Sequence, residues 1–260
     1  MRAIVIREFG SPEVLKLETV PDPSPQRGQV LLRVKAAGVN PVDTYIRTGN
    51  HAIKPQLPYI PGLDAAGIID AVGEDAGDVR PGQRVYNAGI TRTPLNGTYA
   101  ELVLCEASQV YPLPDGVTFE QGAALNTAYG TAARALLQRG QARPGEWVLV
   151  HGASGGVGTA AVQLSRALGL RVIGTAGTSE GLDLVRREGA HHALNHREAG
   201  YLDELKSITG RRGVELLLEM LANVNLEKDL TVLAHRGRVC VIGNRGTIEI
   251  DPRKTMTKDA

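Results

Sequence analysis

Short alternations of apolar and polar residues, each ended by turn residues, dominate the first half of the chain. Alternation with a period of two puts successive side chains on opposite faces of a strand, and proline or glycine ends each run. The pattern predicts an antiparallel, barrel-like domain over residues 1–122. Its strands are expected near residues 14–17, 29–36, 67–72 and 98–104.

From about Gln121 onward, short apolar runs alternate with helical stretches. This is the pattern of an α/β domain with a doubly wound parallel sheet, and it predicts a Rossmann domain over residues 123–260. A longer apolar helix at 122–137 is expected to link the two halves. Strands are expected near residues 147–151, 171–175, 191–195, 214–219 and 238–243, and helices at 182–188, 201–208 and 226–234.

A glycine-rich turn follows the first of these parallel strands. Gly152, Gly155 and Gly158 lie between the apolar run 147–150 and a helical stretch at 159–168. In a dinucleotide-binding βαβ unit, one glycine permits the tight turn, one lets the backbone approach a diphosphate, and one lets helix and strand pack closely. A plain strand-to-helix turn is the alternative, and the flanking strands and helix argue against it. The expected contacts to the diphosphate are Ser154, Gly155, Gly156, Val157 and Gly158.

The residues at the end of the second parallel strand indicate whether the chain binds NAD or NADP. Enzymes that use NAD usually place Asp or Glu there, where the carboxylate binds the ribose 2′-hydroxyl. Residues 174–179 contain no carboxylate, and Glu180 is the first. Because a carboxylate would repel a 2′-phosphate, its absence favours NADPH as the cofactor.

Composition narrows the class of protein. The 260 residues carry a net charge of +1, so there is no electrostatic argument for nucleic-acid binding. No apolar run is long enough to predict a membrane span, and the N-terminus has the pattern of a strand rather than of a signal peptide. Cys105 and Cys240 lie in separate apolar runs. We therefore expect buried free thiols and a cytoplasmic location.

Several segments together carry a resemblance to a known family, namely 39–47, 61–67, 150–158, 174–178, 195–198, 219–225 and 246–250. They resemble the zeta-crystallin branch of the NADPH:quinone oxidoreductases, in the medium-chain dehydrogenase/reductase superfamily. The resemblance implies a GroES-like barrel before the Rossmann domain, and reduction of quinones, ortho-quinones above all, by hydride transfer. It also implies a homo-oligomer and, by resemblance only, possible mRNA binding.

The same resemblance predicts an enzyme without zinc. Asn40 and Pro41 stand where zinc-dependent members have their first cysteine ligand, and residues 61–64 replace a Gly-His-Glu segment. Two widely separated cysteines do not make a four-thiolate site. No histidine shows ligand spacing together with a carboxylate, and His191–His192 is expected at an exposed helix end.

Hydride transfer without a metal requires hydrogen-bond donors to the developing oxyanion. Tyr45, with Asn40 shortly before it, is the best candidate donor, and these two are the expected catalytic residues. Asn40 has an alternative role as a left-handed turn residue before Pro41, and Asp43 has one as a cap for a helix at Thr44.

The remaining cofactor contacts also follow from the resemblance. Gly177 and His196 are expected at the 2′-phosphate with help from Ser179 and Arg197, although His196 is alternatively an ordinary surface residue. Tyr129 and Thr131 are expected near the nicotinamide, with ordinary packing between domains as the alternative. His51 replaces a family tyrosine that contacts cofactor. Five further residues are expected to line the nicotinamide side of the site, namely Asn225, Ile242, Gly243, Asn244 and Arg245.

Two questions stay open at this stage. The acceptor is either a quinone or an activated alkene such as an alkenal or enone, and the alternative class is an NADPH-binding protein with a structural or mRNA-binding role and little turnover. The family also continues beyond Ala260 with a sixth parallel strand and a segment that closes the first domain. Without them, we expect an uncovered strand edge that favours association, lower stability, no usual dimer and weak turnover.

Overall fold

A computed structural model describes residues 1–52 and 54–260. The chain divides into two compact units, Met1–Thr127 and Ala128–Ala260. The first is built on antiparallel strands and the second on a parallel sheet. The predicted α/β fold class is therefore confirmed.

The first unit contains a five-stranded antiparallel sheet and a separate two-stranded one. Val30 and Leu32 lie on the same face of their strand, are fully buried, and pair with Cys105 and Val103 of the neighbouring strand. In the larger sheet the strands lie in the order β6-β3-β4-β5-β7. The bounds are β1 Arg2–Val5, β2 Lys16–Thr19, β3 Gln29–Gly38, β4 Asp64–Val72, β5 Arg84–Asn87, β6 Leu102–Glu106 and β7 Val110–Pro112, with helix α1 at Pro41–Arg47.

The second unit is a five-stranded parallel sheet with strands in the order β10-β9-β8-β11-β12. Its strands are β8 Trp147–Val150, β9 Arg171–Ala176, β10 His192–Asn195, β11 Val214–Glu219 and β12 Leu233–Val241; its helices are α4 Gly156–Ala167, α5 Ser179–Arg187, α6 Tyr201–Ile208, α7 Ala222–Asp229 and α8 Arg253–Met256. All four residues of β8 are buried, as a central strand with helices on both faces requires. Strand order reverses between β8 and β11, which is where ligands bind in open α/β sheets.

A helical run at Phe119–Arg139 takes the place of the uninterrupted helix predicted at 122–137. It consists of short α-helices at Phe119–Ala123 (α2) and Gly130–Ala133 (α3), with π-helical stretches at Leu125–Tyr129 and Arg134–Arg139. Within this run, the backbone N–H of Thr127 donates to Asp64 Oδ2 at 3.1 Å, a partner outside the helix.

Three other predicted elements were placed wrongly. The helix expected at 226–234 ends at Asp229, because Leu233 and Ala234 begin β12 and are buried in the sheet. The strand expected at 98–104 begins at Leu102, since Thr98 and Tyr99 bond to Gly62, Pro61 and Ile4 instead. The His191–His192 pair is not a helix end.

His192 begins β10, and His191 Nδ1 accepts the backbone N–H of Val172 at 2.9 Å. Of the two cysteines, Cys105 is buried as predicted, whereas Cys240 is only partly buried. Within the described ranges, no helix has both the length and the apolar character that crossing a membrane requires.

Candidate nucleotide-binding and substrate sites

The glycine turn between β8 and α4 has a different geometry at each glycine. Gly152 has φ of +56°, a conformation that other residues rarely adopt. A Cβ on Gly158 would lie 2.3 Å from the carbonyl oxygen of Gly152, so only glycine lets the helix approach the turn this closely. At Gly155 and Gly156 a Cβ would meet nothing nearer than 3.3 Å and 3.9 Å. The start of α4 is thus open to a ligand.

Helix α4 begins at Gly156, earlier than the stretch at 159–168 that the sequence predicts. Gly155 is its N-cap and has no side chain to occupy the first N–H groups. Those N–H groups have no partner inside the helix and lie at its positive end, which is a favourable position for a diphosphate. Ser154 and Val157 are half-buried on either side of the two open glycines.

A buried chain of hydrogen bonds runs beneath this turn. The N–H of Gly152 donates to Thr175 Oγ1 at 3.3 Å, and that hydroxyl lies 3.2 Å from His151 Nδ1. His151 Nε2 lies 2.8 Å from Asp229 Oδ1. His151, Thr175 and Asp229 are each at most 2% exposed. The ends of β8 and β9 and the end of α7 are therefore connected through side chains.

Glu219, the last residue of β11, organises the neighbouring loops. Its Oε1 accepts the N–H of Leu221 and, at 3.1 Å, the side-chain amide of Asn225. Its backbone oxygen accepts the N–H groups of Ile242 at 2.8 Å and Gly243 at 3.1 Å. One fully buried residue thus holds Asn225, Ile242 and Gly243, three of the residues predicted on the nicotinamide side.

The rest of that predicted segment is held by α7. Asn223 Oδ1 accepts the N–H of Arg245 at 2.9 Å. Asn244 uses its side-chain amide on the carbonyl oxygen of Gly246 at 2.6 Å. A Cβ on Gly243 would lie 2.1 Å from the Met220 carbonyl oxygen, so this loop approaches the end of β11 without space for a side chain.

In the sequence no histidine has ligand spacing with a carboxylate, but the fold brings His151 beside Glu219 and Asp229. One nitrogen or carboxylate oxygen each of His151, Glu219 and Asp229 lies within 4.8 Å of the others, and all three residues are buried. Burial, together with a hydrogen bond to Asp229, raises the pKa of Glu219 to about 7. Burial also raises the pKa of Asp229 to about 6 and lowers that of His151. Near neutral pH a carboxyl group of the cluster is therefore partly protonated.

Gly177, His196 and Arg197 lie together at the ends of β9 and β10. A Cβ on Gly177 would lie 2.7 Å from His196 Nε2 and 2.8 Å from Arg197 Nε. Burial, then the nearby His151 and Arg197, lowers the pKa of His196. Ser179 begins α5 immediately after these residues. Gly177 is therefore close to the side chains of His196 and Arg197 and to the N-terminus of α5.

Tyr129 is fixed to the helix that follows the glycine turn. Its hydroxyl donates to Gln163 Oε1 on α4, and the Gln163 amide donates to Glu188. Burial, together with the charge of Glu188, raises the pKa of Tyr129. Thr131, two residues later in the same run, is half-buried.

In the first unit, the predicted catalytic residues lie at the start and in the middle of α1. Asn40 is the N-cap of this helix, with extended backbone at φ of −120°, so the left-handed alternative was wrong. Its backbone N–H donates to Asp43 Oδ2 at 2.8 Å, which makes Asp43 a capping residue for a helix that begins at Pro41 rather than Thr44. Asp43 also accepts the hydroxyl of Tyr99 at 2.9 Å.

Asp64 is a buried acceptor that the sequence analysis did not identify. Its carboxylate accepts four hydrogen bonds, from Asn40 Nδ2 at 2.9 Å, Asn126 Nδ2 at 2.9 Å, and Thr127 N and Oγ1 at 3.1 Å and 2.8 Å. It is 2% exposed. The sequence signal for this buried acceptor is an acidic residue at the start of an apolar strand. Asn40 and Asp64 thus contact each other through amide and carboxylate groups.

A cavity of about 450 Å³ lies in the first unit. Helix α1 contributes Val42, Asp43 and Ile46 to its wall, and the following loop contributes His51. Tyr45 is half-buried on the same helix. His51, predicted as a cofactor contact, therefore lines a cavity close in sequence and in space to the residues of α1.

Two family models match the chain. Residues 26–115 match the model described as Alcohol dehydrogenase GroES-like domain, and residues 156–260 match the one described as Zinc-binding dehydrogenase. The match to Quinone oxidoreductase of Homo sapiens is 52% identical over 261 residues, which cover 100% of this chain and 78% of that protein.

Solved structures agree with this result. The quinone oxidoreductase of Thermus thermophilus, solved also in complex with NADPH, is 36% identical with a TM-score of 0.84, covering 100% of this chain and 78% of that one. An NAD-dependent alcohol dehydrogenase has a TM-score of 0.94 at 29% identity, covering 100% of this chain and 82% of that one. Because one neighbour is named with NADPH and the other with NAD, the fold alone does not decide the nucleotide.

Proposed function

Because the chain belongs to the quinone oxidoreductase family of the medium-chain dehydrogenases/reductases, we propose that it is an oxidoreductase that reduces quinones with NADPH. The observation that carries the proposal is the open glycine turn. Gly152 and Gly158 shape it, while Gly155 and Gly156 leave the start of α4 free of side chains. Bound NADPH supplies a hydride, and a quinone accepts one readily because the hydroquinone product is aromatic.

The proposed nucleotide site follows the carboxyl ends of the parallel strands. The N–H groups at the start of α4 hold the diphosphate. His196 and Arg197 beside Gly177, with Ser179, hold the 2′-phosphate, and their positive charge favours NADPH over NADH. Asn225 and the segment 242–245, both held by β11 and α7, orient the nicotinamide. Tyr129 and Thr131 complete this side.

On the substrate side, we assign the donor role to Tyr45 and a supporting role to Asn40. The Asn40 amide donates to Asp64, and its backbone caps α1 through Asp43, so Asn40 holds the helix that carries Tyr45. The phenol of Tyr45 then donates a hydrogen bond to the quinone oxygen as negative charge develops there. His51, on the cavity wall, contacts bound molecules where the family has tyrosine.

The proposed reaction uses no zinc. Asp64 occupies the segment that carries ligands in zinc-dependent members, and its oxygens already accept four hydrogen bonds from amides and hydroxyls. The side chain opposite it is the amide of Asn40, a poor zinc ligand compared with thiolate or imidazole. The assignment of residues 1–122 to substrate and 123–260 to NADPH belongs to the same proposal, as does a cytoplasmic location, which the unpaired cysteines support.

Steady-state oxidation of NADPH with different acceptors tests the proposal. Ortho-quinones should be reduced faster than para-quinones, and both faster than enones or alkenals, while a strong chelator should leave the rate unchanged. A preference for enones would move the chain to alkene reduction. Tight NADPH binding with no turnover of any acceptor would favour the binding-protein alternative.

A further inference from the structure

We propose that Glu219 is a positioning residue for the nucleotide: it keeps a proton that it shares with Asp229, and this proton joins the glycine turn to Asn225 in one continuous hydrogen-bonded chain. The inference rests on the proposed function, because Asn225 and the turn are the groups assigned to NADPH. It adds a buried acid that does not contact the reacting atoms and is needed in its neutral form.

The first half of the chain fixes the tautomer of His151. Thr175 Oγ1 accepts the N–H of Gly152, and in the proposed chain it donates its own hydrogen to His151 Nδ1, which lies 3.2 Å away. His151 is neutral, because burial lowers its pKa. A neutral imidazole that accepts at Nδ1 carries its hydrogen on Nε2, and Nε2 lies 2.8 Å from Asp229 Oδ1. Asp229 is therefore the acceptor at this end.

The second half requires one more proton. Glu219 Oε2 and Asp229 Oδ2 are both buried, and neither has a donor among the described residues. Glu219 Oε1 is already used by Leu221 and Asn225. One oxygen of Glu219 lies within 4.8 Å of one oxygen of Asp229. A proton on Glu219 Oε2 satisfies both unpaired oxygens at once, whereas two ionised carboxylates would repel each other in a dry site.

Loss of this proton should disturb the nucleotide site. When Glu219 is ionised, it repels Asp229. Because Glu219 binds Asn225 and Asp229 binds His151, this repulsion moves Asn225 and His151 apart. Burial raises the pKa of Glu219 to about 7, so the change falls near neutral pH. The titratable or charged groups facing the pair are His151 from the turn after β8, Tyr201 from α6 and Lys228 from α7. His196 lies farther out, beside His151.

The test measures the dissociation constants of NADPH and NADH from about pH 6 to about pH 9, in the wild type, E219Q and E219A. The Gln amide donates to Asp229 as a protonated Glu does, but it does not ionise. Wild-type affinity for both nucleotides should fall at least fivefold with rising pH, and E219Q should bind with little dependence on pH. E219A should bind weakly throughout. The proposed role of His196 depends on the 2′-phosphate, which NADH lacks. A pH dependence that is the same for NADPH and NADH therefore does not come from His196.

The control is E215Q, the same substitution on the same strand. Glu215 Oε2 accepts the N–H of Trp147 at 2.7 Å, an interaction that a Gln oxygen also makes. E215Q should keep the wild-type pH dependence. If E219Q shows the same pH dependence as wild type, or if E219A binds as tightly as wild type, the positioning role is wrong.

An infrared titration of the nucleotide-free protein separates the inference from the proposed function. With ¹³C-labelled glutamate, a carbonyl band of a neutral glutamic acid should be present at about pH 6 and disappear by about pH 9. If no nucleotide binds but this band titrates as expected, the proposed function fails and the shared proton stands. If no neutral glutamic acid is seen at about pH 6, the shared proton is excluded.

Discussion

The side-chain amide of Asn40 donates a 2.9 Å hydrogen bond to the buried carboxylate of Asp64. Asn126 and Thr127 donate to the same carboxylate from the helical run. Asp64 thus fixes both the N-terminus of α1, which carries Tyr45, and the π-helical stretch at Leu125–Tyr129. The amide of Asn40 and the carboxylate of Asp64 thus belong to an anchor made of hydrogen bonds.

Removing this anchor should destabilise the chain. Asp64→Ala leaves several buried donors without an acceptor, so the free energy of unfolding should fall by about 3 kcal/mol or more. Asp70→Ala is the control, because Asp70 forms a surface ion pair with Arg33 and its loss should cost about 1 kcal/mol or less. Urea denaturation measures both. Equal losses would show that Asp64 is not an anchor.

Substitutions at two glycines of the turn should have opposite effects. Gly156→Asp has space in the structure, so the variant should fold normally while its carboxylate repels the diphosphate and weakens NADPH binding at least a hundredfold. Gly158→Ala should instead unfold more easily, because the added methyl would lie 2.3 Å from a carbonyl oxygen.

Gly116→Ala is the control for both, since nothing lies within 4 Å of a Cβ there. Fluorescence titration of NADPH and thermal melts distinguish the two effects. Normal NADPH binding by Gly156→Asp would place the diphosphate elsewhere.

Preference for NADPH should depend on His196 and Arg197. Each charge-assisted hydrogen bond to a phosphate contributes about 1.5–3 kcal/mol, so Arg197→Ala should weaken NADPH binding about tenfold or more and leave NADH binding unchanged. The pKa of His196 is lowered by burial, so its charge and its share of the preference should appear only as pH falls below the ordinary histidine range. Arg187→Ala, at the far end of α5, is the control. A parallel loss for both nucleotides would contradict a 2′-phosphate role.

The sequence was sufficient to predict features that depend on neighbouring residues. The glycine turn, the apolar run of β8 and the absence of a carboxylate at residues 174–179 all depend on local pattern. The His151–Asp229 contact was not predictable, because its partners are 78 positions apart and meet only when β8 and α7 pack. The end of α7 was missed for a similar reason, since Leu233 and Ala234 suit a helix until they pair in the sheet.

Stability should depend on pH through the buried acids. The pKa of Glu219 is about 7 in the folded chain, so the folded state holds its proton where the unfolded state has lost it. This group therefore favours the folded state most at low pH, and the free energy of unfolding should fall by up to about 1.4 kcal/mol per pH unit between about pH 4.5 and 7. His151, whose pKa is lowered, acts oppositely below the ordinary histidine value.

Urea denaturation at about pH 6 and about pH 8 measures the effect. Between these two pH values, the free energy of unfolding should decrease less in Glu219→Gln than in the wild type. In Glu215→Gln it should decrease as much as in the wild type. An equal decrease in all three proteins would assign the pH dependence to other groups.

Hydride transfer at the proposed site is tested most directly by a single-turnover reaction of the chain with an ortho-quinone and NADPH deuterated at C4. NADPH oxidation should require the quinone, be slowed by the deuterium, be at least tenfold slower in Tyr45→Phe, and be abolished in Gly156→Asp. Oxidation without an isotope effect, or at the wild-type rate in both variants, would contradict hydride transfer at the proposed site.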